Sequence, residues 1–165
     1  MKTLALVALA AAFLYWVWQR IRSPRPKYAP LAIPPDDPLM LAAVERARAT
    51  LPEFRGLLAA SQGTASVKCP LVTSSGTVEH VWAEVLEHAG NQVKVRLVTP
   101  PVTHTGPLER LHTKSLDELE DWQVTLPDGK MRGGFTMRVM FTRGREQWGS
   151  LPPELEELER KYGVA

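Results

Sequence analysis

The apolar residues of this 165-residue chain follow different periods in different segments. Residues 3–18 form a run without charge, residues 39–58 place apolar side chains three or four positions apart, and residues 67–97 alternate apolar with polar side chains. Helical spacing predicts amphipathic helices, and alternation predicts strands with one solvated face. We therefore expect an α+β domain after an apolar N-terminal segment.

Two short helices are predicted at the start of the domain. Asp37 followed by Pro38 is typical of an N-cap and a first helical position. Thr50 and Glu53 have the spacing of a capping box, which predicts that a second helix begins there. A last amphipathic helix is expected to open within residues 150–154, so that helices flank the central strands.

The middle of the chain predicts a small antiparallel β-sheet packed with these flanking helices. Strands are expected at residues 77–86 and 93–99, with a turn between them, and at residues 108–115. Pro127-Asp128-Gly129 is typical of a hairpin turn between two more strands. Residues 135–141 fit either a strand or a helix, because their periodicity does not decide between the two.

Residues 1–22 are interpreted as one N-terminal transmembrane helix that is retained as an anchor. At about 1.5 Å per residue the uncharged run spans roughly 24 Å, which is short of a hydrocarbon core of about 30 Å. Aromatic residues and two arginines within positions 15–22 are typical of an interfacial belt that extends the span. A cleaved signal peptide is the alternative, although its small-x-small site, Ala8-Leu9-Ala10, lies inside the apolar run.

Residues 23–36 are expected to form a proline-rich linker between this anchor and a soluble domain at residues 37–165. The prolines favour an extended polyproline II conformation, which suits a spacer. Their Pro-x-x-Pro spacing leaves an SH3-type ligand as an alternative. More basic residues follow the apolar run than precede it, which predicts a single-pass protein with its domain in the cytoplasm.

The charge of the chain is unevenly distributed and argues against a nucleic-acid partner. Residues 1–35 carry five basic residues and no acidic one, which leaves 15 basic and 18 acidic residues in 36–165, a net charge of −3. A nucleic-acid-binding domain usually carries a basic patch in its folded part. The expected partners are therefore the membrane, through the N-terminal helix, and a protein. Cys69 is the single cysteine, which excludes an intramolecular disulfide.

The strand at residues 78–86 carries the candidate chemistry. Alternation places His80, Trp82 and Glu84 on one face, where an imidazole, an aromatic ring and a carboxylate are the components of a ligand site. Glu79 and Trp122 complete the predicted ligand face. The alternative is structural, with Trp82 covered by a helix and His80 half-buried beside it.

Motifs for catalysis or metal binding are absent from the sequence. The four histidines and Cys69 lack zinc-type spacing, and no nucleophile or phosphate-loop motif is present, so no metal and no cofactor are expected. The acidic run of Asp117, Glu118, Glu120 and Asp121 is typical of a solvated turn, with a cation site as the alternative. His80 with Glu79 or Glu84 could still act as an acid–base pair of a small hydrolase-like enzyme.

Several short motifs resemble those of a bacterial family of unknown function, the YegJ-like family. They are Val67-Lys68-x-Pro70, Gly76-x-Val78-Glu79-His80-Val81-Trp82, Asp121-Trp122 and Gly133-Gly134-Phe135-Thr136, within residues 44–141. The resemblance implies a compact α+β domain and a bacterial protein, for which the anchor would lie in the inner membrane. It implies no activity. A tethered binding or adaptor module without catalysis is the first functional hypothesis, and a small enzyme or an immunity-type protective protein are the alternatives.

Overall fold

The computed structural model describes residues 28–163 of the chain. This part forms four α-helices, one 3-10 turn and six strands. In chain order they are α1 (Pro38–Ala49), α2 (Leu51–Ala59), β1 (Thr64–Val72), β2 (Val78–Ala89), β3 (Gln92–Leu97), β4 (Leu111–Ser115), the 3-10 turn (Leu116–Glu118), β5 (Asp121–Thr125), β6 (Met131–Gly133), α3 (Phe135–Trp148) and α4 (Pro153–Lys161).

All six strands join one antiparallel sheet in the order β4-β3-β2-β1-β5-β6. Strands β1 to β4 form an antiparallel meander, and the chain then crosses back so that β5 pairs with the free edge of β1. Strand β4 begins at Leu111, later than the predicted 108. The α+β class with an antiparallel sheet and flanking helices is therefore confirmed for the described residues.

The first two helices both begin where predicted, but only the first has the predicted side-chain cap. The carboxylate of Asp37 accepts hydrogen bonds from the backbone of Leu39 (2.9 Å) and Met40 (3.0 Å), so Asp37 caps α1 as predicted. Thr50 precedes α2 but makes no side-chain cap. Its hydroxyl instead donates to the carbonyls of Arg46 (2.9 Å) and Ala47 (3.0 Å) at the end of α1, because the two helices are almost continuous.

The main core lies on one side of the sheet, which we call the core face. Alternate residues of β1 are buried there: Ala65, Val67, Cys69 and Leu71. Phe54 of α2 packs in the same core with Leu116 and Leu119, which belong to the connection between β4 and β5. Burial of these apolar side chains is the main stabilising contribution to the domain.

The segment that fitted either a strand or a helix is α3. Its first turn is held by Asp121, which accepts hydrogen bonds from the backbone of Phe135 (3.2 Å) and Thr136 (2.7 Å). Gly134 precedes it in a left-handed conformation with φ +65°, which favours glycine. A smaller cluster of Met131, Phe141, Leu151 and Tyr162 joins β6 and α3 to the C-terminal segment, and Leu155 and Leu158 of α4 pack against it.

No helix within residues 28–163 has the length and apolar character needed to cross a membrane. The transmembrane helix expected at residues 1–22 lies outside the described residues, as does the linker up to residue 27. Of the remaining linker, residues 31–36 form neither helix nor strand and belong to the same compact unit as the domain.

Candidate functional site

Three of the predicted site residues lie together on one side of β2, opposite to the core face. We call this side the outer face. It is shared with β1 through three cross-strand pairs, His80 with Pro70, Trp82 with Lys68, and Glu84 with Ser66. The alternation read from the sequence is therefore correct for His80, Trp82 and Glu84.

His80 forms the most specific contact of the outer face. Its Nδ1 lies 2.8 Å and 2.7 Å from the two carboxylate oxygens of Glu120. The backbone N–H of Glu120 donates to the carbonyl of Lys68 (2.9 Å), which holds the carboxylate beside β1 at the entrance to β5. The His80 side chain is 52% exposed and the Glu120 side chain 17%. The pair is thus held in place by the fold but remains accessible to solvent.

This pair lies in the wall of a groove of about 690 Å³, which we call the His80 groove. Apolar side chains supply most of its surface: Leu31, Ile33, Pro34 and Pro35 from the linker, Met40, Leu41 and Val44 from α1, and Met140 from α3. Pockets of roughly 300–1,000 Å³ with apolar walls are typical of ligand sites. The groove therefore combines a suitable size with a suitable surface.

The polar lining of the His80 groove contains both signs of charge. Glu45 and Arg48 of α1 and Lys68 of β1 join His80 and Glu120. Arg48 is also anchored, since its Nε donates to the carbonyl of Leu119 (3.3 Å). The groove thus presents anchored hydrogen-bond donors and acceptors within a short distance of apolar walls.

The carboxylates predicted to pair with His80 have other partners. Glu79 pairs with Leu71 across the strands and so lies on the core face, where it accepts hydrogen bonds from the Thr103 hydroxyl (2.6 Å) and the backbone of Val102 (2.8 Å). Glu84 binds Arg96 at 2.6 Å. Glu79 adjoins His80 in sequence, and its side chain therefore points to the opposite side of the sheet. The predicted pairing of His80 with Glu79 or Glu84 is wrong, because the carboxylate that contacts His80 is that of Glu120.

The contact between Glu79 and the loop also lowers the pKa of its carboxyl. The hydroxyl of Thr103, and then the backbone N–H groups of Thr103 and Val102, lower the pKa of the Glu79 carboxyl below its ordinary value near 4.5. This carboxylate ties β2 to the loop that follows β3, which is a structural role.

Trp122 is not part of the outer face. It pairs with Val67 and lies 1% exposed on the core face, stacked on Phe54 with ring centroids 5.1 Å apart. Its indole N–H donates to the Ala47 carbonyl (3.1 Å) and lies 3.1 Å from the Thr50 hydroxyl. The sequence could not separate Trp122 from Trp82, because the face on which β5 presents it depends on its register with β1.

The acidic run is a solvated turn only in its first part, since Asp117 and Glu118 are exposed in the 3-10 turn while Asp121 belongs to β5. Asp117 accepts a hydrogen bond from Asn91 (2.6 Å), Glu120 contacts His80, and Asp121 is fully buried beneath the start of α3. Burial raises the pKa of the Asp121 carboxyl, against its hydrogen bonds from Thr136. Within residues 28–163 no group of three His, Cys, Asp or Glu side chains could hold a metal ion.

The remaining chemistry-bearing residues lie outside the His80 groove. His104 Nδ1 accepts from the Ser74 backbone (3.3 Å), and His112 Nε2 contacts the Glu109 carbonyl (2.9 Å). Cys69 is buried on the core face, where burial raises the pKa of its thiol. His104 and His112 therefore do not meet His80.

Sequence reasoning missed Glu120, Lys68 and Arg48 as members of the site. Glu120 lay within an acidic run, and lysines and arginines at these spacings are ordinary surface residues. Of these three residues, only Lys68 lies in one of the motifs that resemble the YegJ-like family, Val67-Lys68-x-Pro70. The contact between His80 and Glu120 joins residues 40 positions apart.

Comparison with known proteins gives one match, to a protein family. No curated protein and no solved structure matches the chain. A family described as an uncharacterized protein conserved in bacteria, DUF2314, matches residues 37–148. These residues contain all six strands and helices α1 to α3. They amount to more than half of the chain, and the chain therefore belongs to the DUF2314 family of bacterial proteins.

Proposed function

We propose that this protein is a binding module, tethered to the bacterial inner membrane, that holds an extended peptide segment of a protein partner in the His80 groove. The observation that carries the proposal is the pairing of His80 with Glu120 inside an apolar groove of ligand size. The proposed tether is the apolar run within residues 1–22, with the domain on the cytoplasmic side.

The composition of the groove favours a peptide over a small charged ligand. A peptide backbone needs both donors and acceptors, and the groove offers the cations of Arg48 and Lys68 beside the carboxylates of Glu45 and Glu120. Since the charges are of both signs, a simple anion or cation gains little there. Met40 and Met140 supply flexible apolar contacts that suit the side chains of a peptide.

We also propose that the chain is related to the YegJ-like family. Its support is that Glu79-His80-x-Trp82 supplies two outer-face residues, while Asp121-Trp122 supports the fold beside them. We infer that such a family would share the geometry of the His80 groove. A related chain in which Glu120 and His80 are both replaced, yet which captures the same peptides, would contradict this.

A peptide-display selection tests the proposed function. The full chain, reconstituted in detergent, is used to select from a random twelve-residue peptide library, and the enriched peptides are measured by calorimetry. We expect Glu120→Gln to weaken binding by about tenfold, because a hydrogen bond to a charged group contributes roughly 1.5–3 kcal/mol. Trp82→Ala is expected to weaken it less, because Trp82 is on the outer face but does not line the groove.

The matched control is His88→Ala. His88 lies on the same strand and is exposed, but it does not line the groove. Binding should be unchanged in His88→Ala and reduced in His80→Ala, with circular dichroism confirming that both variants are folded. Selection of no peptide, or equal binding by the two histidine variants, would refute the proposal.

A small hydrolase-like enzyme is the second candidate, supported by the same pair. With Nδ1 held by Glu120, His80 Nε2 makes no hydrogen bond within residues 28–163, which is the arrangement of a general base oriented by a carboxylate. Turnover of p-nitrophenyl acetate would test it. Wild-type turnover that is lost in His80→Ala and reduced in Glu120→Gln would favour this candidate. Wild-type turnover no faster than that of buffer alone would exclude it for activated esters.

A further inference from the structure

A second groove lies between α1 and α3 and shares no residue with the His80 groove. Its volume is about 370 Å³. Its walls are mainly apolar, formed by Leu39, Ala42, Ala43, Phe135 and Val139. Two arginines line it, Arg46 from α1 and Arg138 from α3, and we call it the arginine groove. Arg46 is exposed and Arg138 is partly buried, and their partners decide whether their charges are available to a ligand.

Neither arginine is paired with an acidic side chain within residues 28–163. The guanidinium of Arg46 lies over the Phe135 ring, 5.8 Å from its centroid. Arg138 donates only to the carbonyls of Tyr162 (2.9 Å) and Gly163 (3.3 Å). Its Nε is buried and has no hydrogen-bond partner. Arg46 is exposed and donates no side-chain hydrogen bond within residues 28–163, so its N–H groups are available to a ligand, whereas the Arg138 Nε is out of reach of one.

The other arginines of α3 differ from Arg138. Arg143 binds Asp37 at 2.7 Å and Glu146 at 2.6 Å, and Arg145 binds Glu159. Acidic partners are thus supplied along the same helix wherever an arginine points away from the arginine groove. Arg48 and Arg55, elsewhere in the described part of the domain, also lack an acidic partner. What distinguishes the arginine groove is that residues 28–163 line it with two arginines and no acidic side chain.

We propose that the arginine groove binds the anionic group of a small amphiphilic ligand, a carboxylate or phosphate that carries a short apolar tail. Guanidinium groups bind these two anions by paired N–H···O hydrogen bonds. The tail would lie on the apolar walls, where Leu39 is 43% exposed. The volume is near the lower end of the range for ligand pockets, which favours a small molecule.

The ligand could be a free metabolite-like anion or a lipid in a bilayer, since the anionic chemistry is shared. Calorimetric titrations of the full chain with hexyl phosphate, inorganic phosphate and hexanol separate the contributions of charge and tail. Sedimentation with phosphatidylcholine vesicles, with and without about 20% phosphatidic acid, separates the two sources. Saturable binding of hexyl phosphate is expected, with inorganic phosphate at least about tenfold weaker because it lacks apolar burial.

Variants locate the site. Arg46→Gln is expected to weaken hexyl phosphate binding by about tenfold, and Arg46→Lys by less, because lysine keeps the charge but loses the paired geometry. Ala42→Trp fills the groove without changing its charge and should also reduce binding. Arg110→Gln removes an exposed arginine outside both grooves and is the matched control.

Any one of three results would overturn the proposal. These are no saturable binding of hexyl phosphate up to about 10 mM, equal affinity for inorganic phosphate, or equal effects of Arg46→Gln and Arg110→Gln. Because no residue of the His80 groove takes part, peptide binding by Arg46→Gln should equal that of the wild type. Failure of this proposal can therefore be distinguished from failure of the proposed function.

Discussion

Trp82 and Trp122 lie close together in the sheet but on opposite sides of it. Trp82 pairs with Lys68 and Trp122 with Val67, and these successive residues of β1 point in opposite directions. Trp122 is buried, stacked and hydrogen-bonded within the core. Trp82 is only partly buried and belongs to neither core cluster. The same residue type thus supports the fold on one face and is available for contacts on the other.

The comparison separates the motifs of this chain into two groups. Asp121-Trp122 and Gly133-Gly134 are structural. Asp121 and Trp122 are buried, and a Cβ atom on Gly134 would lie 2.1 Å from the Tyr162 ring. His80 and Trp82 are on the outer face and contribute little to the core. Motif residues that resemble one another in chemistry therefore have different roles, and stability measurements can distinguish them.

The largest expected effect is that of Trp122→Ala. Removing a fully buried indole leaves a cavity, and we expect the free energy of unfolding to fall by about 3–5 kcal/mol. Trp82→Ala should lower it by less than about 1 kcal/mol, because a partly exposed side chain is lost. Urea unfolding followed by circular dichroism measures both. Equal losses in the two variants would mean that the outer face is as well packed as the core.

Asp121 and Glu120 extend the comparison to neighbouring carboxylates. Asp121→Ala leaves the backbone N–H groups of Phe135 and Thr136 without their acceptor, and we expect a loss of about 2–4 kcal/mol. Glu120→Ala should cost less than about 1 kcal/mol, since His80 remains accessible to water. Chemical unfolding of both variants checks this, and a larger loss for Glu120→Ala would reverse the assignment of roles.

The smallest effect concerns the pH dependence of stability through Glu79. Hydrogen bonds from Thr103 lower the pKa of this carboxyl in the folded state. Its contribution to stability is therefore fully present above its ordinary pKa near 4.5 and is lost as the pH falls through the lower folded pKa. We expect Glu79→Gln to reduce the drop in stability between pH 7 and pH 3.

Thr103→Val provides the control for this effect. It removes the hydroxyl donor but keeps the carboxyl of Glu79 and the backbone donors. Its pH dependence, measured by urea unfolding at several pH values, should lie between those of the wild type and Glu79→Gln. A pH dependence that is identical in all three proteins would show that the loop contact does not stabilise the charged form.

Much of the architecture was predictable from local sequence. The Asp37 cap, the alternation along β2 and the hairpin at residues 125–131 all follow from contacts between residues near each other in the chain. Two features depended on distant contacts. The Thr50 hydroxyl makes no cap for α2 because it donates to the end of α1. Residues 135–141, which fitted either a strand or a helix, are helical because Asp121 holds the first turn.

The candidate site was only half predictable. The sequence by itself determined that His80, Trp82 and Glu84 share a face, because side chains alternate along any strand. Only the tertiary structure decided that Glu120 meets His80, that Trp122 is in the core, and that Arg46 and Arg138 line one groove. The physical reason is that strand order, register and helix packing depend on contacts between distant residues, which local periodicity does not encode.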